Sequence, residues 1–235
     1  MGGILKMAKR VVVMQSEFKM RPLRDWKMLS DSAQDILDGN CSGFQIARMQ
    51  YLLKSSQVPI HYRKAIELHI DVAKGISKRG LGGSYFISGQ SRKGKTHSMC
   101  GIIHQLAAHH VAARIDFNAL FISTPVLLSK LRGSFDTGKG NPLLGPSEKE
   151  TEQQIIQNLT EVTYLFIDDL GSEKASEYSQ SVFYSIINQR FEKDMHLTIN
   201  SNLPISRIGT QIGKRCASRI NEICQVITIS NKKER

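Results

Sequence analysis

Gly89-Gln90-Ser91-Arg92-Lys93-Gly94-Lys95-Thr96 follows the apolar run Tyr85-Phe86-Ile87-Ser88 and precedes a helical pattern from about Thr96 to His110. The octapeptide fits G-x-x-x-x-G-K-[ST], and the strand before it and helix after it give that pattern its meaning. A phosphate chain needs inward-pointing backbone N–H groups, which glycines at the turn permit, and a helix N-terminus aimed at its charge. Lys95 then reaches the outer phosphates, and the Thr96 hydroxyl ligates Mg²⁺. Residues Gly89, Gln90, Ser91, Arg92, Lys93, Gly94, Lys95, Thr96 and His97 are therefore the expected nucleotide-binding segment. Arg92 and Lys93 either touch phosphate or face solvent.

A phosphate loop needs a second half. Tyr164-Leu165-Phe166-Ile167-Asp168-Asp169 is an apolar strand ending in two carboxylates. Strand ends in a parallel sheet face the ligand crevice. Asp168 is expected to hold Mg²⁺, directly or through water, and Asp169 to orient or deprotonate the attacking water. A further strand ends in Thr198-Ile199-Asn200-Ser201-Asn202-Leu203-Pro204. Asn202 is the expected contact to the γ-phosphate or to that water, with Asn200 as the alternative. Arg215 and Arg219 lie four residues apart on a basic helix and so share a face. Arg219 first, and Arg215 second, are candidates for an arginine delivered to a neighbouring subunit's γ-phosphate.

Outward from these motifs, strand and helix alternate. Strands are expected at residues 116–123 and 197–199 and at 225–229 beside those already quoted, with helices at 125–131, 150–159, 181–191 and 214–220. Such alternation predicts βαβ units and a mostly parallel sheet covered by helices on both faces, an α/β fold. Residues 135–148 form a long polar, glycine-rich connection. Upstream, Ala65, Ile66, His69, Ile70 and Ala73 predict a helix across residues 60–78. Two shorter helical patterns lie between Leu23 and Lys54, and residues 1–22 read as a basic arm. A boundary near residue 57 separates this small helical region from the ATPase core expected over residues 58–235.

The chain has 235 residues, 40% of them hydrophobic, enough for one sizeable core. It has no apolar run of 18 residues, so no membrane-spanning helix is expected. Lys6 stands where a myristoylation signal carries Ser or Thr. The four cysteines make no CxxC pair, which predicts neither a zinc ribbon nor a disulfide framework and suits a reducing cytoplasm. Lys and Arg total 32 against 21 acids, a net charge of +11, which points to a polyanionic partner. Residues 1–27 and 205–235 each hold seven bases and two acids.

The order of phosphate loop, Phe-Ile-Asp-Asp-Leu-Gly, Ser-Asn-Leu-Pro and Ala-Ser-Arg-Ile resembles the AAA+ helicase loaders of the DnaC/DnaI type and the related IstB transposition ATPases. Val58-Pro59-Ile60-His61-Tyr62-Arg63 is similar to the segment these proteins carry before their first core strand. The likeness covers residues 58–235. It implies an AAA+ P-loop NTPase without a separate helical lid, with Lys95 and Thr96 as Walker A, Asp168 and Asp169 as Walker B, Asn202 as sensor 1 and Arg219 as arginine finger. It implies ATP and Mg²⁺ as cofactors and slow hydrolysis stimulated by DNA or a partner. The partners would be a DnaB-type hexameric replicative helicase, single-stranded DNA and further copies of the chain. The Ala217–Cys224 ending is more similar to the loaders than to the transposition helpers. A small-molecule P-loop kinase would carry a lid-sized, arginine-rich insertion, and none is visible. Arg92 departs from the glycine common in relatives.

Single strands ask for positive charge beside a stacking face. Lys130, Arg132 and Phe135 offer that combination at the end of the second core helix, with Lys139 following. In the resembled loaders this region faces the central channel of the ATPase spiral.

Overall fold

The computed structural model describes residues 30–135 and 150–230. Five parallel strands make one sheet in the order β2-β3-β4-β1-β5. They are β1 (Tyr85–Ser88), β2 (Ala119–Ser123), β3 (Tyr164–Asp168), β4 (His196–Ser201) and β5 (Gln225–Thr228). β1, β3 and β4 are buried at every position; β1 and β3 read as nearly continuous apolar runs, whereas β4 alternates buried polar residues with Leu197 and Ile199. The α/β class and the parallel sheet are as the motif order predicts.

Helices cover both faces. On one side α4 (Lys95–Ala113) lies against the sheet, with α1 (Asp31–Leu37) and α2 (Gly43–Ser55) packed on it and α3 (Ile70–Arg79) set against β5. Ala33, Leu52, Val72, Met99 and Ile103 meet Tyr85, Ile87 and Phe166 there in one apolar cluster. On the other side stand α5 (Thr124–Phe135), α6 (Glu152–Glu161), α7 (Glu177–Glu192), α8 (Ile205–Ile212) and α9 (Lys214–Ile223). Leu127, Ile155, Phe183, Ile208 and Ile220 close over Phe86, Leu165 and Ile199. The helix starts are specified locally. Ser42 with Gln45, and Thr151 with Gln154, form reciprocal capping boxes at α2 and α6.

Two expectations are corrected. The helix predicted over residues 60–78 is a 3₁₀ turn (Ile60–Tyr62), a non-helical strap through residue 69, and then α3. The strap gives its backbone to α4: His104 Nε2 lies 2.8 Å from the Arg63 carbonyl, and Gln105 Nε2 donates to the Ile66 carbonyl at 3.3 Å. Gly101 makes the close approach possible, since a Cβ there would sit 2.9 Å from the Glu67 carbonyl oxygen. The apolar spacing mixes two environments, with Ala65 buried and Ile70 46% exposed. Second, α8 was not expected, and β2 begins at Ala119 rather than Asp116.

Arg190 of α7 is fully buried and donates to four backbone carbonyls. These belong to Leu159, Val162 and Thr163, at the end of α6 and the entry to β3, and to His196, which opens β4. Burial pushes its pKa down to about 9, so the guanidinium stays charged at neutral pH.

Candidate functional site

The loop from Gly89 to Gly94 joins β1 to α4 at the carboxyl end of the sheet. Gly94 precedes α4 at φ 80°, and no side chain caps that helix. Its first N–H groups are therefore open to an anion. Arg92 holds φ 62°, a left-handed conformation that costs a non-glycine residue about 1 kcal/mol. Left-handed residues within such a turn curl successive N–H groups toward one centre. The Arg92 side chain itself is exposed, as are those of Gln90, Ser91 and His97.

Lys95 is 6% exposed, and its ammonium donates to the Gln90 carbonyl at 2.8 Å and to Asn202 Oδ1 at 2.7 Å. Burial lowers its pKa, opposed by the negative charges of Asp169 and Asp168. Both acceptors are neutral, and an ammonium has three N–H donors. The Lys95–Asn202 contact links the phosphate loop to the end of β4.

Asp168 is 5% exposed at the end of β3. The Thr96 hydroxyl lies 3.1 Å from its Oδ1 and 3.0 Å from its Oδ2. Burial raises the Asp168 pKa, and the Asp169 charge adds to this, while hydrogen bonds from Asn200 and Thr96 pull it back. A hydroxyl and a carboxylate side by side are hard oxygen ligands. One carboxylate plus nucleotide phosphates is the usual protein share of a Mg²⁺ site. Asn200 adds a buried acceptor: its Oδ1 has no hydrogen-bond partner among the described residues. These residues fit a hydrated cation. Among the described residues no cluster of three or more His, Cys, Asp or Glu side chains forms a separate metal site.

Asp169 follows at φ 55° and is half-buried. The turn beyond it is pinned to β4. Leu170 N–H donates to the Asn200 carbonyl at 2.9 Å, and the Ser201 hydroxyl donates to the Leu170 carbonyl at 2.6 Å. Glu173 Oε2 accepts from Gly171 N–H at 3.0 Å, and burial pushes the Glu173 carboxyl up.

The other expected residues stand apart from this cluster. Arg219 places its guanidinium 4.1 Å over the Phe191 ring and pairs with Glu222 at 3.2 Å. Arg215 is exposed one turn earlier on α9. Lys130 and Arg132 are exposed on α5, whereas the Phe135 side chain and Lys139 lie outside the described residues.

Asn200, the alternative to Asn202 in the sequence, donates its Nδ2 to Asp168 Oδ1 at 2.9 Å, and Tyr62 was given no role there. The signal for Asn200 was the shared ending of two adjacent strands. Tyr62, at the end of the 3₁₀ turn before the strap, sets its ring edge-on to His97 with centroids 6.4 Å apart. Burial raises the Tyr62 hydroxyl pKa, and the Asp168 and Asp169 charges raise it further. Tyr62 lies within the Val58–Arg63 motif, which was quoted without a role for it.

No family model matches the chain. It is 26% identical over 137 residues to the replicative helicase loader DnaC of Buchnera aphidicola subsp. Schizaphis graminum, across 58% of this chain and 50% of that protein. It is 19% identical over 233 residues to YdaV, an uncharacterised protein of Escherichia coli strain K12, across 93% of this chain and 87% of that one. The chain thus spans about half the length of the DnaC relatives it matches. Domain III of the replication initiation protein DnaA from Thermotoga maritima superposes with a TM-score of 0.50 at 18% identity, covering 88% of this chain and 70% of that one. The chain is thus similar in sequence to DnaC helicase loaders over 58% of its length, and its α/β fold is similar to that of DnaA domain III.

Proposed function

We propose that this chain is an ATP-dependent loader that binds single-stranded DNA and helps place a hexameric replicative helicase on it. One observation carries the nucleotide half. Lys95, Thr96, Asp168, Asn200 and Asn202, from three separate stretches of chain, converge by direct hydrogen bonds at the carboxyl end of the sheet. The similarity to DnaC supports the loader half.

In this reading the open N–H groups of α4 and the Lys95 ammonium bind the outer phosphates of ATP. Thr96 and Asp168 would hold Mg²⁺, which supplies charge neutralisation at those phosphates. Asp169 orients the attacking water or takes its proton. Asn202, already bonded to Lys95, reports the end of β4 to the γ-phosphate region. Arg219, with Arg215 as the alternative, serves the site of a neighbouring copy in an ATP-dependent assembly. Hydrolysis is slow and is stimulated by DNA or the helicase. Lys130, Arg132, Phe135 and Lys139 contact the strand. Residues 58–235 are the ATPase core, and residues 1–57 offer the surface for the helicase. No helix among the described residues is long and apolar enough to cross a membrane.

The deciding experiment is co-purification with a hexameric replicative helicase, with and without ATP. A complex whose formation or lifetime depends on ATP supports the reading. ATP-dependent assembly on duplex DNA with no helicase affinity would replace it with a transposition helper.

A further inference from the structure

Asp168 and Asn200 are neighbours by strand register. β3 and β4 pair Phe166 with Thr198 and Ile167 with Ile199, so the next step sets Asp168 beside Asn200 on the same face of the sheet. Asn200 is fully buried. Its backbone is also committed, since its carbonyl accepts from Leu170 and it faces Ile87 of β1. The amide therefore has little freedom. Nδ2 donates to Asp168 Oδ1, the oxygen that Thr96 also approaches. Oδ1 is buried and has no partner among the described residues. A buried amide with half its capacity unused costs about 1–3 kcal/mol, so such an arrangement calls for a donor from elsewhere.

We infer that Asn200 is a positioning residue for the cation: its Nδ2 orients the Asp168 carboxylate, and its Oδ1 accepts from a water in the ion's hydration shell. The inference rests on the nucleotide-site reading above. Mg²⁺ keeps several of its waters, and those waters are strong donors that need oriented acceptors. Outer-shell partners of this kind are worth about 10–100-fold in metal affinity. Asn202 has a different task, since its amide oxygen is taken by Lys95.

The test uses Asn200→Val and Asn200→Thr, two variants of nearly equal shape that both suit a strand. Binding of a fluorescent ATP analogue to the full chain is titrated with Mg²⁺, and again in EDTA. Asn200→Val is expected to need about tenfold more Mg²⁺ for half-maximal binding, with metal-free affinity within about twofold of the parent. Asn200→Thr, which restores a hydroxyl, is expected to recover part of that shift. A purely structural amide would lower the thermal midpoint of both variants and leave the Mg²⁺ midpoint where it was. That result overturns the inference and leaves the nucleotide site standing. Should the parent protein bind the analogue without any response to Mg²⁺, the inference about the cation falls and the nucleotide site stands; should it not bind the analogue at all, both fall. If Asn200→Val does not fold, an unchanged Mg²⁺ midpoint in Asn200→Thr is equally fatal, and a shifted one supports the assignment.

Discussion

Lys95 Nζ and Asn202 Oδ1, 107 residues apart in the chain, are 2.7 Å apart in space. That hydrogen bond ties the start of α4 to the end of β4, so the residue that would hold phosphate and the residue that would sense it share one contact.

Lys95→Ala is expected to weaken ATP binding at least tenfold and to abolish turnover. The loss is of charge and of a donor, while Gln90 and Asn202 remain accessible to water, so the fold should persist. Isothermal titration with ATP–Mg²⁺, paired with circular dichroism, checks both halves.

Asp169→Asn separates binding from chemistry. Asparagine tolerates the left-handed backbone that Asp169 occupies, so the substitution removes charge without straining the turn. ATP–Mg²⁺ affinity should stay within about threefold of the parent, whereas turnover should fall about 100-fold, the usual scale for losing a general base. Equal loss of binding and turnover would withdraw the role given to Asp169.

Arg219→Ala should be nearly silent for stability. Its contacts are a partly exposed ion pair and a ring-face contact, together worth about 1 kcal/mol. Its ATPase activity should fall sharply, and mixing it with Lys95→Ala protein should restore part of that activity by completing one shared site. Mixed assemblies without any recovery would count against a site shared between copies.

Paired Lys130→Ala/Arg132→Ala replacement should weaken single-strand binding and reduce the salt slope by about 1–2, as fewer counterions are released. Fluorescence anisotropy of a labelled oligonucleotide at several salt concentrations measures both. Unchanged affinity in folded protein removes α5 from the DNA contact.

Stability should decline between about pH 6.5 and 4. Burial, with a smaller contribution from the neighbouring His110 charge, pushes the pKa of His109 down to about 4; His110 is itself lowered by burial. The unfolded chain takes up these protons near pH 6.5 and the folded chain resists them, so the stability held above that pH is lost as pH falls. For His109 alone the loss approaches about 3 kcal/mol. Urea unfolding at pH 7.5, 6 and 5 should show it, and His109→Gln should flatten the trend.

Local signals made much of the site readable. The phosphate loop is contiguous, and its strand-loop-helix context lies within a dozen residues. Asp168 and Asp169 end an apolar run that can only be an interior strand. Asn200 was harder, because its partner is chosen by the alignment of β3 with β4, and register is a property of two strands rather than one. The strap was misread because its apolar spacing imitates a helix. What breaks that helix is contact with α4 through Gly101, a tertiary cause with no local signature. Ile205, Ile208 and Ile212 of α8 do carry helical spacing, but Pro204 and Gly209 masked it.

The buried guanidinium of Arg190 has a mechanical consequence. It clamps the entry to β3 and the opening residue of β4, whereas Asp168 and Asn200 meet at the opposite ends of those strands. The two strands resemble pages bound at one margin. They cannot slide past each other at the bound end without stranding a charge among unsatisfied carbonyls, a penalty of several kcal/mol. The phosphate-side margin is stitched differently, by single hydrogen bonds from Asn200 to Asp168 and from Leu170 to Asn200, which can be exchanged one at a time without stranding a buried charge.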